Sequence, residues 1–149
     1  MYRHILVPTD GSPASERAER AAVQIARSLS AKITAIHVIH PYSPQAAAEL
    51  AVSRPAPLGR EEYRLAAEQR ADTLLRRVMA LAREALVPAV RLTVTDEDTG
   101  QALVRTAQDA GCDLIVIGST SRAGLERIFA GSVASEVVNG TRLPTLVCH

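Results

Sequence analysis

Five short apolar segments alternate along this chain with longer segments of helical periodicity, and this alternation constrains the fold more than any other feature. The five segments are HILVP (4–8), KITAIHVI (32–39), AVRLTV (89–94), DLIVIG (113–118) and LPTLVC (143–148). Strands that alternate with helices are typical of a parallel sheet with helices on both faces. The run LIVIG is apolar throughout, as expected of a strand that is buried on both sides. The sequence therefore predicts an α/β fold.

The first intervening helix is clearly marked. Ser12 can cap its first turn, and Pro13 suits the first helical position. An apolar stripe with helical spacing follows: Ala18, Ala21, Ala22, Ile25, Ala26 and Leu29. We therefore expect a helix between the first two strands.

Three further helices are predicted later in the chain. One spans about 61–86 and ends before Pro88; its buried face is predicted to be Ala71, Leu74, Leu75, Val78, Ala82 and Leu86. Another spans about 99–110, and the last starts near Gly131; its inward residues are predicted to be Val133, Val137 and Val138. Segment 40–59 contains four prolines and cannot be one continuous helix.

Composition limits the classes of function. A chain of 149 residues is expected to form a single domain, 1–149. A net charge of +1 and an aromatic content of 3% argue against nucleic acid and against an anionic membrane surface as partners. The longest apolar runs fall well short of the roughly 18 residues that span a bilayer, and the first residues lack the apolar region of a signal peptide.

Cysteine and histidine usage points to a cytoplasmic protein without a metal centre. Cys112 and Cys148 do not show the spacing of a disulfide framework and are interpreted as reduced core thiols. The four histidines show no metal-ligand spacing. No Ser-His-Asp or Cys-His combination can be assembled, so we expect no catalytic residues.

The stretch IGSTSRAGLERIFAGS (117–132) is the leading candidate for a ligand site. Gly118 ends a strand and lets the backbone turn, while Gly131 and Ser132 begin a helix whose free N–H groups and dipole favour an anion. Arg122 could also reach a phosphate. The alternative is that these residues form a strand-end turn and a helix start that bind nothing.

Two standard nucleotide motifs are absent. No Walker sequence occurs, and the dinucleotide pattern G-x-G-x-x-G is replaced after the first strand by PTDGSP. Asp10 in that segment could accept hydrogen bonds from a ribose, or it could cap the Asp-Gly-Ser-Pro turn. The acidic residues 96–98 could hold Mg²⁺, but a loop whose Asp98 or Thr99 caps the next helix is the favoured interpretation.

Two long segments resemble the universal stress protein family. These are residues 4–39, with the motifs PTDGS and HVI, and residues 102–149, with DLIVIG, GSV and LPTLV in the family's order. The resemblance implies a Rossmann-like sheet of strand order 3-2-1-4-5, related to the nucleotide-binding α/β-hydrolase-like superfamily. It also implies a ligand cleft between the first and fourth strands, where the strand order reverses.

The resemblance also implies residue roles. One branch of the family binds ATP through the pattern G-x-x-G-x₉-G-[ST], in which this chain supplies Gly118, Gly131 and Ser132. Further binding residues are implied at the strand ends and after the last glycine: Pro8, Thr9, Asp10, Ser12, Val38 and Val133. Members pair through their last strand, so residues 143–148 are expected to form a homodimer edge.

Ser121 departs from the pattern because it stands where the middle glycine is expected. If that position requires a positive φ or a contact without a Cβ, serine costs on the order of 1 kcal/mol. About 1.4 kcal/mol corresponds to a factor of ten in affinity, so the change weakens binding rather than abolishing it. The Ser121 hydroxyl could also contact the phosphates.

The leading hypothesis is a cytoplasmic, homodimeric regulatory protein that binds ATP with Mg²⁺ and signals to an unknown protein partner. It is expected to be no enzyme, or at most a slow ATPase. The alternative is a dimeric interaction module of the same fold that binds no nucleotide, which Ser121 favours.

Overall fold

In the computed structural model, which describes residues 1–119 and 133–149, strands and helices alternate as predicted. The elements are β1 (His4–Pro8), α1 (Pro13–Leu29), β2 (Lys32–Ile39), α2 (Pro44–Leu50), α3 (Arg60–Glu84), β3 (Ala89–Thr95), α4 (Thr99–Asp109), β4 (Leu114–Gly118), α5 (Val133–Gly140) and β5 (Thr145–Cys148). The predicted strands agree with these bounds to within two residues.

The five strands form one parallel sheet of order β3-β2-β1-β4-β5. In the register of this sheet, Ile5 of β1 lies opposite Ile33 of β2 on one side and Leu114 of β4 on the other. The predicted α/β fold with strand order 3-2-1-4-5 is therefore confirmed. The strand order reverses between β1 and β4. The chain therefore continues from β1 towards one edge of the sheet and from β4 towards the other.

Each face of the sheet carries its own apolar core because successive strand residues point to opposite faces. Ile5 and Val7 pack with α1 and α3 on one face, whereas Leu6 packs with α4 and α5 on the other. All three side chains are fully buried. The helices thus cover both faces, as expected of a parallel sheet.

The signals that start α1 act as predicted. The hydroxyl oxygen of Ser12 accepts a hydrogen bond from the N–H of Ser15 at 3.1 Å, and Pro13 occupies the first turn. Ala18, Ala22 and Ala26 of the predicted stripe are fully buried against the sheet.

The end of α3 was predicted wrongly. Leu86 is not on the buried face: it lies beyond the helix, has a φ of 58° and is 92% exposed. The N–H of Val87 donates to the carbonyl of Ala82, and the N–H of Leu86 donates to that of Arg83, which is a Schellman motif. The Schellman motif therefore ends the helix, and Pro88 is not needed to end it.

One residue of α5 also differs from its prediction. Val137 is fully buried, as expected, but Val133 is 37% exposed at the start of the described helix. Val133 lines the cleft at the carboxyl end of the sheet instead of belonging to the core.

The Pro-rich segment contains the short helix α2 and has a small core of its own. Ala47, Ala51 and Leu58 pack there against Tyr63 and Ala67 of α3. The Tyr63 hydroxyl donates to the carbonyl of His40 at 2.6 Å, which ties α3 to the end of β2. In the described residues, no helix has the length and apolar character needed to cross a bilayer.

Candidate functional site

A cleft of about 530 Å³ opens at the carboxyl end of the sheet, where the strand order reverses. It brings together seven of the predicted site residues: Pro8, Thr9, Asp10, Ser12, Val38, Gly118 and Val133. The other four predicted residues, Ser121, Arg122, Gly131 and Ser132, lie outside the described residues. Residues from four separate parts of the chain, which were predicted mainly from the ends of the strands, thus lie around one cleft.

Two helices, α1 and α4, begin at this cleft because each follows a strand of the parallel sheet, and the described part of α5 starts beside it. Ser12 caps α1, Thr99 begins α4, Val133 begins the described α5, and all three residues line the cleft. Each helix N-terminus carries a partial positive charge. The N-termini of α1 and α4 place partial positive charge at the cleft, beside the charged side chains of Asp10, Glu49 and Arg70.

Asp10 holds the turn between β1 and α1. Its Oδ1 accepts a hydrogen bond from the N–H of Ser12 at 2.8 Å, and Gly11 between them has a φ of 81°. The interpretation of Asp10 as a turn cap is therefore confirmed. This role leaves the residue at the cleft wall, where it is exposed.

Gly118 has a packing role that the sequence did not reveal. Its φ lies outside the left-handed region, so the expected sharp turn is not why glycine is needed. A Cβ at this position would lie 2.4 Å from the carbonyl carbon and oxygen of Ala14 and 2.7 Å from the nitrogen of Ser15. The first turn of α1 can approach the end of β4 only because residue 118 has no side chain.

An ion pair with a fully buried carboxylate lies behind the cleft and was not predicted from the sequence. Glu19 of α1 is fully buried and binds the guanidinium of Arg77 on α3 with both oxygens, each at 2.9 Å. Arg77 also binds Glu16 at 2.6 Å. Burial alone would lower the pKa of Arg77, but the hydrogen bonds and charges of Glu19 and Glu16 raise it overall. Arg77 therefore remains a guanidinium.

His37, the first residue of the HVI motif, and Arg70 also line the cleft, although neither was among the predicted binding residues. The Nδ1 of His37 lies 2.7 Å from the carbonyl oxygen of Thr9, and a carbonyl can only accept, so Nδ1 carries a proton. Burial lowers the pKa of His37, and the charge of Arg70 lowers it further. Arg70 itself donates to the carbonyl of Asp10 at 3.1 Å.

The acidic residues 96–98 form a cap and an ion pair. Asp98 accepts from the N–H of Gln101 at 2.9 Å and so caps α4, as the favoured interpretation predicted. Asp96 accepts from the N–H of Asp98 and binds Arg105. Among the residues that the structure describes, no group of three or more His, Cys, Asp or Glu side chains could hold a metal ion.

Both cysteines are free thiols, as predicted. Cys112 is 5% exposed, and burial raises its pKa to about 11. Burial also raises the pKa of the half-buried Cys148. Thiols with raised pKa values carry little thiolate at neutral pH and are poor nucleophiles.

Comparisons with known proteins agree with this architecture. The model of the universal stress protein family matches residues 1–149. A universal stress protein of Methanocaldococcus jannaschii is 33% identical over 147 residues, which cover 99% of this chain and 82% of the relative.

Two solved structures show the same fold. One is a universal stress protein in complex with cAMP, 27% identical, with a TM-score of 0.73 and coverage of 99% of this chain and 97% of that one. The other is the universal stress protein of Archaeoglobus fulgidus in complex with dAMP, 19% identical, with a TM-score of 0.68 and coverage of 99% and 98%. At 19% identity the likeness is one of fold alone. Family match, sequence identity and fold agree: this chain belongs to the universal stress protein family.

Proposed function

We propose that this protein is a stress-related regulatory protein that binds an adenine nucleotide, ATP with Mg²⁺, in the cleft between β1 and β4. The observation that carries the proposal is the convergence of seven predicted binding residues around one cleft. The cleft volume of about 530 Å³ lies within the range of small-molecule sites.

The walls of the cleft suit the parts of a nucleotide. Val38, Leu103 and Ile117 supply apolar surface for a base. The hydroxyls of Thr9, Ser12 and Ser15 supply polar contacts for a sugar. The N-termini of α1 and α4 favour the negative charge of phosphates.

The relatives support the choice of adenine. The two solved complexes contain cAMP and dAMP, which share an adenine base and one phosphate group. The preference for ATP rests on the match of Gly118, Gly131 and Ser132 to the family's ATP-binding pattern. With no group of three ligands among the described residues, Mg²⁺ would be held by phosphate oxygens and water.

The proposed role is regulatory rather than catalytic. A hydrolase would need a base positioned to activate water, and Asp10 already uses Oδ1 to hold the turn. The two free cysteines support a reducing, cytoplasmic location. Single-turnover release of ADP, compared between the parent and Asp10→Asn, tests for slow hydrolysis.

The test of binding is isothermal titration of MgATP, ADP, AMP and cAMP into the purified protein. Ala46→Phe should weaken binding at least tenfold, because Ala46 of α2 lines the cleft and a phenyl ring would fill it. Ala48→Phe is the matched control, because Ala48 lies on the exposed side of the same helix and does not line the cleft.

The outcomes separate the two candidate functions. Micromolar binding that Ala46→Phe weakens and Ala48→Phe retains would support the proposal. Absence of heat with every nucleotide would contradict it and favour the nucleotide-free interaction module that Ser121 suggests. Equal binding in the parent and Ala46→Phe would place the nucleotide elsewhere.

A further inference from the structure

A buried carboxylate lies directly beneath the hydroxyl groups of the cleft. Oε1 of Glu19 accepts from the Thr9 hydroxyl at 2.6 Å and lies 3.0 Å from the Ser15 hydroxyl. Thr9 and Ser15 line the cleft, whereas Glu19 is 0% exposed and does not. Glu19 therefore does not contact a ligand in the cleft directly, but it can act on one through these two hydroxyls.

The carboxylate determines where the hydroxyl protons point. An ionised carboxylate has no proton to give, so each hydroxyl beside it must donate. Ser15 lies nearer to Glu19, at 3.0 Å, than to the Thr9 hydroxyl, at 3.3 Å, and the charged acceptor is the stronger one. Both protons therefore point towards Glu19. The Ser15 oxygen also accepts a hydrogen bond from the N–H of Asp10 at 3.2 Å, which leaves it one lone pair for a ligand, whereas the Thr9 oxygen keeps both of its lone pairs.

The rest of the network holds this arrangement in place. Arg77 binds both oxygens of Glu19, which fixes the orientation of the carboxylate. Thr9 is held as well: its N–H donates to the carbonyl of Ile36 at 2.9 Å, and its own carbonyl accepts from His37 at 2.7 Å. A hydroxyl fixed in this way cannot rotate freely to suit an incoming ligand.

We propose that Glu19 is a positioning residue that makes Thr9 and Ser15 hydrogen-bond acceptors, so that this part of the cleft selects the ribose hydroxyls of the nucleotide. This inference rests on the proposed function. Phosphate oxygens accept hydrogen bonds and are repelled by lone pairs, whereas ribose hydroxyls can donate to them. The Glu19–Arg77 pair thereby sets the direction in which the nucleotide lies.

The test compares two ligands on the same protein. MgATP has both ribose hydroxyls and 2′,3′-dideoxyATP has neither, so the ratio of their Kd values measures the ribose contact alone. We expect the parent to bind ATP about tenfold more tightly than dideoxyATP, equivalent to about 1.4 kcal/mol.

The main variant is the double replacement Glu19→Leu with Arg77→Met. Removing Arg77 alone would leave the fully buried charge of Glu19 unpaired, whereas replacing both partners by apolar residues of similar size leaves no unpaired charge. The Arg77 side chain is 35% exposed, so a methionine there stays partly in solvent. In this variant the two hydroxyls lose their charged acceptor and become free to rotate. The preference for ATP over dideoxyATP should fall below about threefold, while thermal unfolding confirms that the protein remains folded.

Glu16→Gln is the matched control. Glu16 binds the same guanidinium as Glu19 but is bonded to neither Thr9 nor Ser15. Its replacement disturbs the ion-pair network without touching the two hydroxyls. The tenfold preference should therefore persist in Glu16→Gln.

The outcomes distinguish this inference from the proposed function. Loss of the preference in the double variant alone would support the inference. Equal weakening of both ligands, or a parent that binds them equally, would overturn it and leave nucleotide binding intact. A parent that binds neither ligand would overturn both.

Discussion

Gly118 and Ala14 approach so closely that a Cβ at residue 118 would lie 2.4 Å from the Ala14 carbonyl group. The carbon and the oxygen of this carbonyl group are backbone atoms, which cannot move aside as a flexible side chain can. Gly118→Ala should therefore lower the free energy of unfolding by about 1–3 kcal/mol, as overpacking does. Chemical denaturation measures the change.

Gly140→Ala is the control for this prediction. A Cβ there would meet a methyl group of Val104 at 3.6 Å, an ordinary contact. Gly140 ends α5, where alanine is the better helix former, so its replacement should be neutral or slightly stabilising. Equal unfolding midpoints for both variants would contradict the close approach of α1 to β4.

At Leu86 a substitution should stabilise the protein, in contrast to Gly118→Ala. Leucine with a φ of 58° is strained by about 1 kcal/mol, and the side chain gains no burial in return. Leu86→Gly should therefore raise the free energy of unfolding by up to about 1 kcal/mol. Leu65→Gly, at another exposed leucine but inside α3, should lower it by a similar amount. Destabilisation by both variants would argue against the strain at Leu86.

A buried histidine, His4, and a half-buried one, His37, should make stability depend on pH. Burial lowers the pKa values of His37 and His4 from an ordinary 6.5, so below about pH 6.5 the unfolded chain binds protons that the folded chain resists. The free energy of unfolding is then highest above this pH and decreases as the pH falls. His37→Asn should flatten the decrease, and replacement of the exposed His149 should not. Denaturation midpoints between pH 7.5 and 5 measure the difference.

Ser121 and Gly131 should affect nucleotide binding in opposite directions. If the family pattern requires glycine at the first of these positions, Ser121→Gly should bind ATP as tightly as the parent or up to about tenfold more tightly. Gly131→Leu should abolish binding, because the pattern places this residue against the phosphates. Calorimetric titration measures both. Tight binding by Gly131→Leu would contradict the proposed phosphate site.

The edge strand β5 is predicted to form a homodimer. Its Leu146 is 40% exposed, and Leu92 on the opposite edge strand β3 is 39% exposed, so the two leucines are matched in exposure. Leu146→Glu should convert the dimer to a monomer, and Leu92→Glu should not. Light scattering coupled to size exclusion measures the mass. A monomeric parent would contradict the prediction.

Much of the site could be predicted because its location follows from topology. Carboxyl ends of parallel strands share one edge of the sheet, so Thr9, Val38 and Gly118 had to lie near one another once the strands were identified. The end of α3 could not be predicted. Periodicity continues through Leu86, and only the hydrogen bonds of the last turn show that the helix has already ended.

The sequence indicated only one partner of the Glu19–Arg77 ion pair. Glu19 lies four residues after Ser15 and within the buried stripe of Ala18 and Ala22, which marks an unusual carboxylate. Its partner is 58 residues away, and only the packing of α1 beside α3 brings the two together. A sequence pattern on one helix cannot identify such a contact.

The small core under α2 has a consequence for how this protein can change. One wall of the cleft, at Ala46 and Leu50, is supported by that core, whereas the floor at Thr9 and Gly118 is supported by the sheet. Substitutions within 44–58 can therefore reshape one side of the cleft while the sheet keeps its packing. Such a division would let evolution or an engineer change the shape of the cleft without rebuilding the fold.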